Sequence, residues 1–112
     1  MDRSATLTSL IRFDAPLADL EARLQALSWD SSPVVTLQRE HIIAVLQRFL
    51  SGELDAGAVE TWANLVEGRE DIRDEPGREE VTLAAIHDLA NPVLQGRLED
   101  IASEVLANLR LD

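Results

Sequence analysis

Residues 42–66, IIAVLQRFLSGELDAGAVETWANLV, carry the pattern that decides the fold. Apolar residues recur at spacings of three and four on both sides of a short polar break, which is the periodicity of two amphipathic helices. Ser51 and Gly52 supply a stop for the first helix, and Asp55 can cap the second. Because only residues 52–54 connect the two helices, the sequence predicts a packed helical hairpin.

The periodicity also assigns an inward face to each helix of this hairpin. The two stripes are Ile42, Val45, Leu46 and Phe49, broadened by Ile43 and Leu50, and Val59, Trp62, Ala63 and Val66. Thr36 is the candidate N-cap of the first helix. Trp62 is interpreted as a packing anchor of the core. The alternative is a partly exposed contact residue, since tryptophan is enriched at the centres of protein interfaces.

Working outward from the hairpin, the same spacing predicts three more helices. The first begins at Asp14, a candidate cap that precedes Pro16. The second covers residues 78–90 and stops before Pro92, and the third follows Gly96. Their apolar positions are Leu17, Leu20, Leu24 and Leu27; Val81, Ala85, Ile86 and Leu89; and Leu98, Ile101, Ala102, Val105 and Leu109.

The expected fold is an all-α bundle of about five helices that forms one domain over residues 1–112. Aromatic residues make up 4% of the chain, so the core must consist mainly of Leu, Val, Ile and Ala, which favours helices over a β-sandwich. Residues 1–13 fit either a helix or a strand, and Val34 and Val35 form a short extended piece. One or two short strands within residues 1–36 are therefore the alternative for the N-terminal third.

The composition also bears on the compartment in which the protein works. The chain has no cysteine, which fits a reducing environment and leaves no thiolate chemistry. No stretch approaches the roughly 20 apolar residues that span a bilayer. Residues 1–13 lack the long apolar core of a secretory signal. We therefore expect a cytoplasmic protein that does not enter a membrane.

Between the hairpin and the next helix lies the most charged stretch of the chain, EGREDIRDEPGREE, which we name the acidic segment (residues 67–80). Seven of its fourteen residues are Asp or Glu and three are Arg, which leaves −4 in a chain of net charge −11. The sequence predicts a loop bounded by Gly68 and by Pro76-Gly77. This charge argues against binding to nucleic acid or anionic membranes, and it favours a basic protein partner.

The candidate partner-binding residues follow from that charge. Carboxylates would pair with Lys and Arg of the partner, while Ile72 and Trp62 would supply apolar contacts. The predicted set is Glu67, Glu70, Asp71, Ile72, Asp74, Glu75 and Trp62. Trp29 is interpreted as a cover for the edge of the core, with a partner contact as the alternative. The alternative for the whole segment is a solvated surface in which Arg69 and Arg73 pair locally with neighbouring acids.

The sequence contains no assembled catalytic motif. Five scattered glycines form neither a GxGxxG nor a Walker loop, and no zinc-ligand spacing occurs. His41 and His87 stand 46 residues apart, so we expect structural histidines, no metal and no cofactor. The protein is thus predicted not to be an enzyme. The alternative is a small hydrolase or metal enzyme built on paired carboxylates.

Residues 36–97 resemble a known family in the patterns EHIIAVLQRFLSGE (40–53), VETWAN (59–64), EGREDI (67–72) and LANP (89–92). In these patterns the chain is similar to small acidic helical immunity proteins of the colicin D type. The resemblance implies a helical protein that neutralises a co-encoded toxin, often a basic ribonuclease, by binding over its active site. It assigns no individual toxin-contacting residue, and it does not extend to the first 35 residues.

Two functions therefore lead the expectations. The first is a non-catalytic immunity or antitoxin protein that occludes the active site of a basic, nuclease-like toxin. The second is a structural or assembly module that forms a homodimer through the exposed remainder of the hairpin. The small hydrolase on paired carboxylates is the third.

Overall fold

The computed structural model describes residues 3–27, 32–67, 69–91 and 97–110, and these ranges form a mostly helical fold. In chain order the elements are α1 (Arg3–Arg12), α2 (Leu17–Gln25), β1 (Val35–Leu37), α3 (Arg39–Leu50), α4 (Ala56–Val66), β2 (Ile72–Asp74), α5 (Glu79–Ala90) and α6 (Leu98–Leu109). All five predicted helices are present, and the ambiguous N-terminal residues add a sixth. The predicted helical fold class is confirmed.

The core is one cluster of buried apolar side chains, to which all six described helices and β1 contribute. The predicted inward residues of α4 and α6 lie in or against this cluster, with Ile101 as the half-buried member. None of the described helices is long and apolar enough to cross a bilayer.

α3 and α4 form the predicted hairpin, and its turn has the predicted stop. Gly52 has a φ of +88°, the left-handed conformation that favours glycine. Its N–H donates to Phe49 O at 3.0 Å, and Glu53 N–H donates to Arg48 O at 2.9 Å, which is a Schellman motif. Asp55 Oδ1 then accepts Ala58 N–H at 2.7 Å and caps α4, so this cap prediction is confirmed.

The two other predicted caps are wrong. α2 begins at Leu17 after Pro16 and has no side-chain cap, so Asp14 lies outside the helix. α3 begins at Arg39, and Thr36 belongs to β1 instead. Both residues are chemically suitable caps, but in each helix the N-cap position lies two residues later than the sequence predicts, at Pro16 and at Gln38.

α1 ends with the same hydrogen-bond pattern as α3, but with Phe13 in the position of glycine. Phe13 N–H donates to Leu10 O at 3.0 Å, and Asp14 N–H donates to Ser9 O at 3.2 Å. The φ of Phe13 is +50°, a conformation that costs a residue with a side chain on the order of 1–2 kcal/mol. The ring is buried and stacks on Trp62 with 6.2 Å between ring centroids, so packing offsets the strain.

Trp62 joins α4 to α1 at this point. Its side chain is fully buried, and Nε1–H donates to Leu10 O at 2.6 Å. That carbonyl also accepts Phe13 N–H, so both of its lone pairs are used. Arg48 of α3 donates from Nη1 to Phe13 O at 2.8 Å. The burial of Trp62 agrees with its interpretation as a packing anchor and leaves no exposed surface for a contact.

The two strands pair in parallel, with Thr36 opposite Arg73 at the centre of the register. Parallel strands need a long crossover connection, and here the α3–α4 hairpin is that connection. β1 lies near the extended piece predicted at Val34 and Val35. β2 lies inside the acidic segment, so the prediction of a loop there is wrong. No local sequence pattern predicts β2, because the strand is stabilised by pairing with β1, whose residues lie 37 positions earlier in the sequence.

Replacing Trp62 with Phe should lower the free energy of unfolding by about 2–3 kcal/mol, since it removes a buried hydrogen bond and opens a cavity. Urea unfolding followed by circular dichroism measures this loss. Leu83→Ala is the matched control, because Leu83 is 55% exposed and should change the stability by less than about 0.5 kcal/mol. Equal stability of the two variants would show that Trp62 does not join α1 to α4.

Candidate functional site: the acidic segment

The acidic segment starts at the end of α4, contributes β2 and ends in the first turn of α5. Its seven carboxylates fall into two groups. Three of them contact a described Arg or His side chain, namely Glu67, Asp71 and Glu75. Within the described residues, no cationic side chain contacts the other four, which are Glu70, Asp74, Glu79 and Glu80.

Asp71 is the buried member of the first group, with 3% of its side chain exposed. Oδ2 accepts from Arg3 Nη1 at 2.6 Å and from Arg69 Nη2 at 2.9 Å, and Oδ1 accepts from Arg69 Nε at 2.9 Å. The backbone oxygen of Asp71 accepts Val34 N–H at 2.9 Å. Asp71 therefore links α1, the entry to β1 and the entry to β2, and its carboxylate is occupied within the chain.

The electrostatics of Asp71 match this geometry. Burial by itself raises the pKa of Asp71, but hydrogen bonds from Arg69 and Arg3 and the positive charge of Arg69 hold the pKa below its ordinary value. The folded-state pKa is thus lower than the unfolded-state pKa. The resulting stability is complete above the unfolded value of 3.8 and is lost as the pH falls through the folded value.

Asp71→Asn should lower the free energy of unfolding near neutral pH by about 2–4 kcal/mol, because Arg3 and Arg69 then face a neutral amide. The difference from wild type should shrink below about pH 4, where wild-type Asp71 also loses its charge on unfolding. Urea unfolding at both pH values measures it, with the exposed Glu70→Gln as the control. A loss that is the same at both pH values would contradict the ion-pair interpretation.

Glu75 belongs to the fold as well. Its Oε1 accepts the backbone N–H of Arg39 at 2.9 Å and Arg39 Nε at 3.4 Å, so it caps the first residue of α3 from a distance in sequence. The backbone hydrogen bond from Arg39 is the main reason that the pKa of Glu75 lies below its usual value. Arg39 also donates from Nη1 to Leu109 O at 3.4 Å, which ties the segment to the end of α6.

Three other predicted contact residues, Glu67, Ile72 and Trp62, contact other parts of the fold. Glu67 Oε2 lies 2.9 Å from Nδ1 of His87 on α5. Ile72 is half-buried in β2 and packs against the core, as the fully buried Trp62 does from α4. Trp29 lies outside the described residues. The structure therefore does not gather the predicted residues into one exposed patch.

The four acids without a cationic contact give the segment its negative surface charge, which Arg73 and Arg78 of the same segment partly offset. Glu70, Glu79 and Glu80 are exposed, and Asp74 is half-buried. Burial raises the pKa of Asp74, and the negative charge of Glu79 raises it further. No positive charge among the described residues offsets the raised pKa of Asp74. A cation of a partner placed beside Asp74 would therefore favour its ionised form. Glu79 and Glu80 also lie in the first turn of α5, where the helix dipole favours negative charge.

His41 has a local structural role. Its Nδ1 accepts the backbone N–H of Gln38 at 2.9 Å at the start of α3. Burial, and then the nearby charge of Arg12, hold the pKa of His41 below its usual value of 6.5. Protonation of Nδ1 would abolish the hydrogen bond. Since the folded-state pKa is lower than the unfolded-state pKa, stability from His41 is complete above about pH 6.5 and falls as the pH drops below it.

His41→Gln should keep the cap, because a glutamine at this position can accept the same N–H without titrating. We therefore expect wild type and variant to have similar stabilities near pH 8, and the variant to lose less stability between about pH 6.5 and pH 5. Thermal unfolding across this pH range measures the difference. Parallel pH profiles for the two proteins would show that His41 does not carry the effect.

A surface groove of about 300 Å³ lies beside the start of the acidic segment, between α2 and α4. Its lining consists of Glu21, Leu24, Gln25, Asn64, Leu65, Glu67 and Arg69. The sequence predicts Leu24 as a core residue and Glu67 as a contact residue, but it does not bring the two together. Only the packing of α2 on α4 creates the groove, and no sequence pattern reports that packing.

The metal-binding capacity of the fold and its similarity to known proteins also bear on the function. Within the described residues, no group of three His, Asp or Glu side chains converges in a way that would hold a metal ion. No protein family, curated protein or solved structure matches the chain. The likeness to immunity proteins of the colicin D type therefore stays a prediction.

Proposed function

We propose that the protein is a non-catalytic acidic binding protein of the immunity or antitoxin kind, which neutralises a basic, nuclease-like toxin by covering its active site. The observation that supports this most is the second group of carboxylates. Glu70, Asp74, Glu79 and Glu80 have no cationic contact in the described chain, yet they lie on a backbone that is fixed on both sides. The net charge of −11 acts in the same direction.

The fixed backbone gives these acids a physical advantage in binding. β2 is held by pairing with β1, and the segment is tied down by Asp71 before the strand and by Glu75 after it. A preorganised surface loses little conformational entropy when a partner binds. Its uncompensated negative charge steers a basic protein toward it and raises the association rate.

The proposed mechanism is occlusion. A nuclease holds phosphates with Lys and Arg side chains, and carboxylates that pair with those side chains compete with the nucleic acid. Glu70, Asp74, Glu79 and Glu80 supply this competition in our proposal. Asp71 and Glu75 act indirectly by holding the segment in shape. The lack of cysteine is compatible with the cytoplasm, and we propose that the protein works there.

The homodimer is the alternative. The large hydrophobic residues exposed in the described ranges are Val34, Leu50 and Leu83. They lie on three different parts of the chain, and single exposed hydrophobic residues are ordinary on monomers. Three exposed residues do not by themselves indicate an apolar dimer face, and sedimentation velocity at working concentration decides the point.

Charge reversal tests the proposal. The immobilised protein is used at low salt to capture partners from an extract of the source cells, and the nuclease activity of the salt eluate is measured with and without added protein. Glu70→Lys with Glu80→Lys should weaken capture by about tenfold or more. Asp100→Lys with Glu104→Lys, two exposed positions on α6, changes the net charge equally and should have a much smaller effect.

Two outcomes would contradict the proposed function. The first is a captured partner that is not basic or keeps its full nuclease activity when the protein is bound. The second is an equal loss of capture for both pairs of charge reversals. That result would show that capture depends on the net charge of the protein and not on the position of Glu70 and Glu80. Circular dichroism of each variant confirms that the compared proteins are folded.

A further inference from the structure

The groove between α2 and α4 has an apolar floor and a polar rim. Leu24, which is 7% exposed, and the half-buried Leu65 supply the apolar surface. Glu21 comes from α2, and Glu67 follows the last turn of α4. A volume of about 300 Å³ lies at the lower end of the range for ligand sites. The groove can thus hold one long side chain or a small molecule.

Hydrogen-bond acceptors dominate this rim. Asn64 Nδ2 donates to Glu60 O at 3.0 Å, so its Oδ1 remains oriented as an acceptor. Glu67 Oε2 lies at His87, which leaves Oε1 as an acceptor. Glu21 adds a second carboxylate from the opposite helix. A ligand that matches these groups must bring several donors.

Arg69 is the only cationic side chain in the described lining, and it shares the single negative charge of Asp71 with Arg3. Nε and Nη2 of Arg69 donate to the two oxygens of Asp71, both at 2.9 Å, in a bidentate pair. Glu21 and Glu67 outnumber Arg69 in the lining, so the groove carries a small excess of negative charge. An anionic ligand is therefore disfavoured, and a cationic ligand is favoured.

We propose that this groove takes an arginine side chain from the basic partner. The aliphatic part would lie on Leu24 and Leu65, and the guanidinium would donate to Glu21, Glu67 and Asn64. Arginine fits better than lysine, because its planar guanidinium carries five donors that can reach acceptors on two helices at once. The identity of the partner rests on the proposed function, whereas the chemistry of the groove rests on the groove's own residues.

The experiment uses blocked arginine, N-acetyl-arginine methylamide, as the probe. It is titrated into the ¹⁵N-labelled full chain at low salt, and backbone and side-chain amide shifts are followed by NMR. We expect saturable shifts at Asn64 and Leu65. Blocked citrulline, which has nearly the same shape without the charge, should cause much smaller shifts. Blocked lysine should bind more weakly than blocked arginine.

A pair of matched variants locates the site. Glu21→Gln with Glu67→Gln removes both rim charges and should weaken the binding of blocked arginine by about tenfold or more, the loss of two charge-assisted hydrogen bonds. Asp100→Asn with Glu104→Gln, two exposed positions on α6, removes the same charge outside both the groove lining and the acidic segment and should leave the affinity within about twofold.

Three results would overturn the proposal: equal shifts with arginine and citrulline, shifts centred on residues 70–80, or binding that both variant pairs weaken equally. The comparison of arginine with citrulline uses wild-type protein, so it holds even if a variant fails to fold. Failure here is distinguishable from failure of the proposed function. If a toxin is captured and inhibited but blocked arginine does not bind, the arginine site in the groove is refuted and the immunity function stands. If blocked arginine binds but no nuclease partner is found, the immunity function is refuted and the arginine site stands.

Discussion

The carboxylate of Asp71 is the interaction on which the acidic segment depends. This carboxylate is buried and pairs with Arg3 of α1 and with Arg69. The backbone oxygen of Asp71 accepts a hydrogen bond from Val34 N–H, just before β1. Two short strands alone are marginally stable in water. The pairing of β1 with β2 therefore relies on this ion pair and on the helices around it. A buried carboxylate without its cationic partners strongly destabilises the fold. The ion pairs of Asp71 and the strand pairing therefore form and break together.

This dependence divides the charge of the segment into two kinds. Asp71 and Glu75 hold the chain to α1, α3 and α6. The four acids without a cationic contact are exposed, except for the half-buried Asp74. A simple count of charges treats all seven acids as equivalent. The structure shows that the inner acids fix the backbone, and this fixed backbone then presents the outer acids in one geometry. Binding through such a surface is selective because the spacing of the charges is constant.

The sequence predicts the helices well because their signals are local. Gly52 and Asp55 mark the hairpin turn through backbone conformation and capping, and the structure has both features. Phe13 ends α1 with the same geometry as Gly52, yet a phenylalanine gives no such signal, because tertiary packing on Trp62 and Arg48 stabilises its conformation. β2 and the groove are also set by distant contacts. They depend on which helices and strands pack against each other, and the residue pattern of a single sequence does not predict that packing.

The parallel pairing of β1 and β2 has a consequence for how the acidic surface forms. The two strands are separated in sequence by the whole α3–α4 hairpin, so their pairing closes a long loop and carries the entropic cost of that closure. We therefore expect this pairing to form after the local contacts of the helices. A partly synthesised or damaged chain therefore carries the same charges without their arrangement. If the protein binds its partner through this surface, as we propose, completion of the fold is a condition for binding.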